Sequence, residues 1–191
     1  MNFIKTTIED IIICEPQIHG DSRGYFIETF REDKLEEFLG YKLNFCQDNE
    51  SKSSRGVLRG LHYQLPPYAQ TKLVRVIQGK VLDVAVDIRV GSPTFGKHVA
   101  IELTETNKRQ VLIPRGFAHG FIVLSDEATF AYKVDNYYSS ECDRGIAFDD
   151  LALGINWILE DNELNLSAKD KVQPTLKETT DLFKYGINYY E

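Results

Sequence analysis

The chain has 191 residues, with 42% apolar and 27% charged content, the balance of a globular protein large enough to bury a core without staples. Its formal net charge of −7 excludes a nucleic-acid backbone as partner, because neutralising many phosphates takes a basic face; a small phosphorylated ligand needs only a few local cations. The three cysteines, Cys14, Cys46 and Cys142, are far apart, odd in number and form no Cys-x-x-Cys pair, which excludes a disulfide framework and a zinc ribbon.

The opening MNFIKTTIED lacks the apolar stretch of a signal peptide, and no apolar run approaches the ~18 residues that span a membrane. A soluble, cytoplasmic protein is the expectation. REDKLEEFLG, Arg31 to Gly40, places Leu35, Phe38 and Leu39 at helical spacing and ends on a glycine, which predicts a short helix. From there the apolar pattern has period two. RGVLRGLHYQ, Arg55 to Gln64, reads as a strand carrying His62, and Lys72 to Arg89 as two strands about a Gln-Gly turn. HVAIEL, QVLIP, HGFIVLS and TFAYKVDNYY follow, separated by Gly, Pro, Asn or Asp. Alternation carried along the last of these sets Tyr132 and Tyr138 on one face. The more polar segment after Trp157 has room for one or two short helices. Closely spaced short strands predict an all-β jelly-roll barrel or sandwich with few helices. Nothing resembles a repeat or a linker, so one domain over residues 1–191 is expected.

Small β-barrels of the cupin kind often hold a metal through a His-x-His pair, a carboxylate and a later histidine in a Pro-x-Gly-x-x-His segment. PRGFAH, Pro114 to His119, supplies the later segment, but LHYQ carries Gln64 where the second histidine would stand. Two histidines are a poor set for Zn²⁺ or Fe²⁺, so no metal is expected, and a surviving histidine in a pocket points to acid–base chemistry. A histidine base works best with a carboxylate that fixes its tautomer, and Asp170 of LSAKD is one of several acids able to serve. Tyr132, Tyr137 and Tyr138 are candidate proton donors. Lys72 and Arg59 are candidate cations for a developing enolate. Each has an ordinary reading by itself: His62 a hydrogen-bonded structural histidine, Lys72 a strand-end charge, Tyr132 a half-buried strand aromatic, Asp170 a helix cap after Ser167.

Taken in order, DSRGYFIETF, FCQDNESKSSRGVLRGLHYQ, KLVRVIQGKVLDVAVDIRVGSPTFG, IPRGFAHGF, YKVDNYYS and LSAKD resemble the dTDP-4-dehydrorhamnose 3,5-epimerase family over nearly the whole chain. The resemblance implies a cupin-type jelly roll that forms homodimers and uses no cofactor. It makes His62 the base, Asp170 its partner, Tyr132 the acid on the other face and Lys72 the group at the enolate oxygen. Arg23, Phe26 and Glu28 would contact the nucleotide from a neighbouring subunit. Gln47, Asn49, Arg59, His119 and Lys169 would hold the nucleotide-sugar, with Tyr138 stacking near the base. The family often carries a glutamate just after YKVDNYY; this chain offers Glu141 or Asp143 there. The implied activity is double epimerisation at C-3 and C-5 of a dTDP-linked 4-keto-6-deoxyhexose. A mono-epimerase or an enzyme of another nucleotide sugar would use the same residues. A metal-dependent cupin and a non-catalytic sugar-binding cupin are the competing classes.

Overall fold

The turn at Gln78–Gly79 joins two strands that do not pair with each other. In the computed structural model, which describes residues 1–190, β1 (Asn2–Lys5), β2 (Ile12–Glu15), β3 (Ile18–Asp21) and β4 (Gly24–Ile27) precede the helix α1 (Glu32–Leu39). Then come β5 (Gln47–Ser54), β6 (Val57–Gln64), β7 (Lys72–Gln78), β8 (Lys80–Asp87), β9 (Arg89–Val90), β10 (His98–Thr104), β11 (Gln110–Ile113), β12 (Phe117–Val123) and β13 (Glu127–Val134). Short strands β14 (Asp143–Gly145), β15 (Asn165–Leu166) and β16 (Phe183–Lys184) follow, with 3₁₀ turns at Asp161–Glu163 and Asp170–Val172. One sheet runs β1-β2-β11-β7-β13-β5 and the other β10-β8-β12-β6-β14, with β15 alongside β6. From β5 to β8 and again from β10 to β14, strands consecutive in sequence feed opposite sheets, the arrangement of a jelly-roll barrel.

Period-two patterning places the core. Val74 and Val76 of β7, Ala128 and Phe130 of β13, Val81 and Ala85 of β8, and Phe117, Phe121 and Val123 of β12 meet between the sheets. Phe121 and Phe130 stack at 4.1 Å between ring centroids, tying the two layers together. The alternate residues of β8 and β12, Leu82, Val84, Val86, Ala118 and Ile122, face outward and are covered by Trp157, Leu153, Leu176 and Phe183 of the C-terminal segment. Strand β12 is therefore buried along its whole length. Leu35 of α1 closes a third cluster on Ile12, Leu73 and Leu112, and Gly40 ends the helix in the left-handed conformation at φ 77°. The helix matches the sequence expectation; Phe38 stays exposed and stacks on Phe3 instead of entering the core.

Strand β6 breaks strict alternation, and this break builds the site. Phe121 pairs with Arg59 and His119 with His62, so two steps on β12 match three on β6. The extra residue is a β-bulge. It places Leu58, Leu61 and Tyr63 together in the outer layer and leaves Arg59 and His62 together on the inner face. Gly60 permits it: its φ is +130°, and a Cβ there would lie 2.5 Å from Gly120 Cα and 2.8 Å from the His119 carbonyl oxygen.

Candidate active site

A cavity of about 560 Å³ opens between the sheets. His62, Arg59 and His119 line it from one sheet, Lys72, Tyr132, Phe130, Asn49 and Ser51 from the other, and Asn165 to Ser167 with Asp170 from the C-terminal segment. His62 and His119 face each other in the ladder between β6 and β12. Each turns a ring nitrogen to a carboxylate. His62 Nε2 lies 2.6 Å from Asp170 Oδ1, and His119 Nε2 lies 2.8 Å from Asp83 Oδ2.

Asp170 reaches His62 because β15 runs parallel to β6, with Asn165 opposite Val57 and Leu166 opposite Leu58. Gly56 keeps that pairing close: a Cβ on it would lie 2.0 Å from the Glu163 carbonyl oxygen. Ser167 Oγ donates to Asp170 Oδ2 at 2.7 Å. Burial acts to raise the Asp170 pKa, but hydrogen bonds from His62, Ser167 and the Gly60 N–H outweigh it and hold the carboxyl below its usual value. An ionised Asp170 accepts from Nε2–H, which leaves the lone pair of His62 on Nδ1.

Burial pulls Lys72 down to about 8, against the opposing charges of Asp143 and Asp83. Burial also lowers His119, assisted by Lys72 and His62 and opposed by Asp83. Tyr132 is raised by burial, only partly offset by Arg59, so it keeps its proton. The site thus offers one histidine with an ionised partner, a neutral phenol on the facing sheet, and a lysine poised near neutrality. This set suits proton transfer to and from carbon, with an oxyanion held between.

Other expected site residues divide into three groups. Asn49 sits opposite Tyr132 in the ladder and accepts from Gln47 Nε2 at 2.8 Å, while Arg59 donates to Ser53 Oγ at 3.1 Å. Asp143 pairs with Gln64 in the ladder between β6 and β14, and its carboxylate receives the Tyr138 hydroxyl, at 3.1 Å, and the Lys169 ammonium. Of the two acids after YKVDNYY, Asp143 is the one whose charge acts on Lys72; Asp143, Tyr138, Lys169 and Gln47 are not among the residues lining the cavity itself. Arg23, Phe26 and Glu28 lie apart from the cavity. They belong to the β3–β4 hairpin and its exit, which pairs with neither large sheet; Phe26 is 65% exposed, and Arg23 and Glu28 pair with Asp21 and Arg31.

Three readings need correction. The strand carrying Tyr132 ends at Val134, so Tyr138 lies past it, 62% exposed in an irregular loop, and alternation does not set it beside Tyr132. Asp170 is the first residue of the 3₁₀ turn and not its cap, which is Lys169; its N–H donates to Ser167 Oγ at 3.1 Å, and the carboxylate is left for His62. Gln64 does more than replace a ligand. Its amide donates to the Tyr68 and Tyr137 carbonyls and accepts from the Ser139 N–H, pinning the loop that holds Tyr138. No three His, Cys, Asp or Glu side chains come together as metal donors among the described residues. Sequence reasoning missed Asp83, although an acid at an inner position of the apolar run KVLDVAVDI was a signal.

Fold and site together define an enzyme of the cupin-like barrel class built for carbon acid–base chemistry. A profile of the dTDP-4-dehydrorhamnose 3,5-epimerase family matches residues 5–178, and the chain belongs to that family. It is 56% identical over 170 residues to a dTDP-4-dehydrorhamnose 3,5-epimerase of Shigella flexneri, covering 86% of this chain and 94% of that one. The crystal structure of a Legionella pneumophila dTDP-6-deoxy-D-glucose-3,5-epimerase in complex with dTDP-4-keto-L-rhamnose superposes with a TM-score of 0.93 at 49% identity, covering 97% of this chain and 99% of that one. A 3′-monoepimerase of Streptomyces bikiniensis in complex with dTDP-quinovose gives a TM-score of 0.86 at 35% identity, covering 91% of this chain and 87% of that one.

Proposed function

We propose that this chain inverts C-3 and C-5 of dTDP-4-dehydro-6-deoxy-D-glucose, giving dTDP-4-dehydro-L-rhamnose for dTDP-L-rhamnose synthesis. The observation that carries the reading is the His62–Asp170 dyad on one wall of a cavity whose opposite wall carries Tyr132 and Lys72. The C-4 carbonyl acidifies the C–H bonds at both neighbouring carbons. His62 takes a proton through Nδ1, the charge moves to the C-4 oxygen, and Lys72 as the ammonium stabilises it. Tyr132 delivers a proton to the opposite face, which inverts the centre. One proton leaves and one returns at each carbon, so the reaction has no net redox change and asks for no redox cofactor.

Stacked sheets lie roughly 10 Å apart, a span that admits a sugar ring between base and acid. Arg59, Gln47, Asn49 and His119 are assigned to the nucleotide-sugar, as is the cluster of Tyr138, Asp143 and Lys169. Arg23, Phe26 and Glu28 are assigned to a partner's site: a homodimer in which the exposed β3–β4 hairpin reaches a second copy gives them a role that the single chain does not. Three free thiols fit a reducing, cytoplasmic setting, and no described helix is long and apolar enough to cross a membrane.

Turnover of dTDP-4-keto-6-deoxyglucose in heavy water tests the reading. Deuterium enters at both C-3 and C-5. The similarity to the Streptomyces monoepimerase makes single inversion the second reading, and label at one carbon alone would favour it.

A further inference from the structure

We propose that Ser167 is a positioning residue for the proton-transfer dyad, its hydroxyl holding the Asp170 carboxylate in the orientation that keeps the His62 tautomer. The inference rests on the reading of His62 as the base. Its ground is a hydrogen-bond chain that ends on a carboxylate also held by the Gly60 N–H. Ser167 Oγ accepts from the Asp170 main-chain N–H at 3.1 Å, so its own proton is directed elsewhere, and it goes to Asp170 Oδ2 at 2.7 Å. Asp170 Oδ1 is thereby left to His62 Nε2 at 2.6 Å.

The spacing is that of a capping box, Ser-x-x-Asp, in which the acid ordinarily turns back to the main-chain N–H of the serine. Here the acid is turned to the serine hydroxyl and to a histidine on another strand. The carboxylate is 3% exposed, whereas Ser167 lines the cavity and is itself exposed, so a change at this position leaves the core intact. Without the hydroxyl, Asp170 Oδ2 loses this donor and the carboxylate is freer to turn away from His62 Nε2. The other charged or titratable groups sharing the cavity are Arg59 of β6, Lys72 of β7, His119 of β12 and Tyr132 of β13, with Glu50 of β5 at its lining. None of them is hydrogen-bonded to Ser167.

The test is the split between kcat and KM, with heavy-water exchange, for Ser167→Ala, Ser167→Thr and His62→Ala. Ser167→Ala lowers kcat and exchange about tenfold, as a slightly misplaced catalytic pair does, with KM within about twofold because the nucleotide contacts are untouched. Ser167→Thr keeps the hydroxyl and restores the rate. If Ser167→Ala changes thermal stability alone and leaves kcat and exchange where they were, Ser167 is only structural and the proposal fails. If His62→Ala retains exchange, the assignment of the base fails instead, which separates the two.

Discussion

The barrel interior holds two histidine–aspartate pairs, side by side on hydrogen-bonded strands, and their difference shows how burial divides labour. The His119 pair is internal to one sheet: His119 on β12 and Asp83 on β8 are neighbours through the ladder, with side chains 8% and 2% exposed. The His62 pair joins the sheet to a distant segment, and the His62 side chain is 30% exposed while Asp170 is 3%. Both carboxylates are sealed, but only one imidazole keeps a surface for substrate. Burial depresses the His119 pKa and makes it a fixed neutral group suited to hydrogen bonding. His62 has an equally anchored partner with more room, the requirement for a group that must gain and lose a proton in each cycle.

The largest effect that would break this comparison is at His62. His62→Ala abolishes exchange at carbon, a loss of at least ~10²-fold, whereas His119→Asn leaves measurable exchange and acts mainly on KM. Equal losses from the two would mean that both pairs transfer protons; heavy-water exchange with each variant decides.

The next effect concerns the bulge that gives His62 its place. Gly24 and Gly60 have nearly the same backbone, φ +131° and +130°, yet a Cβ at Gly24 meets nothing within 4 Å and one at Gly60 meets Gly120 Cα at 2.5 Å. Gly24→Ala carries backbone strain alone, about 1 kcal/mol, while Gly60→Ala adds a collision and costs about 3 kcal/mol. Denaturant unfolding of the two variants measures the gap, and equal costs would deny the close approach of β6 to β12.

The smallest effect is a pH limb. The proposed mechanism uses Lys72 as the ammonium, and burial brings its pKa down to about 8, so kcat/KM is expected to fall as pH rises through about 8. Stability moves the other way. The unfolded lysine holds its proton up to 10.5, the folded one releases it near 8, so between these values the unfolded state binds more protons and stability rises with pH. Lys72→Arg, whose guanidinium does not titrate in this range, removes the alkaline limb from whatever activity it retains. A limb that persisted in that variant would belong to another group.

Most of the fold was legible because a helix stripe and period-two strands register burial directly: Leu35 with Gly40, and the runs that became β7, β8 and β10 to β13, needed no tertiary knowledge. Sheet membership was not. Nothing in VIQGKVL says that Gly79 turns a corner between layers instead of closing a hairpin. The site was legible as a set of residue types and only through family resemblance as a set of roles. Alternation would place Arg59 and His62 on opposite faces, and the bulge that reunites them depends on contact between Gly60 and Gly120. The same local rule, extended past Val134, misplaced Tyr138. Asp83 was passed over because its partner lies 36 residues away and only the ladder joins them.

The register shift in β6 has a consequence for how such a site can be lost. A change at Gly60 that straightened the strand would alter no functional side chain, yet strict alternation would then turn His62, three residues past Arg59, into the oily layer beneath Trp157. The chemistry is therefore encoded in a backbone irregularity as much as in a composition. A chain with every catalytic residue intact but no bulge in this strand would read as an enzyme and fold without its base in the pocket.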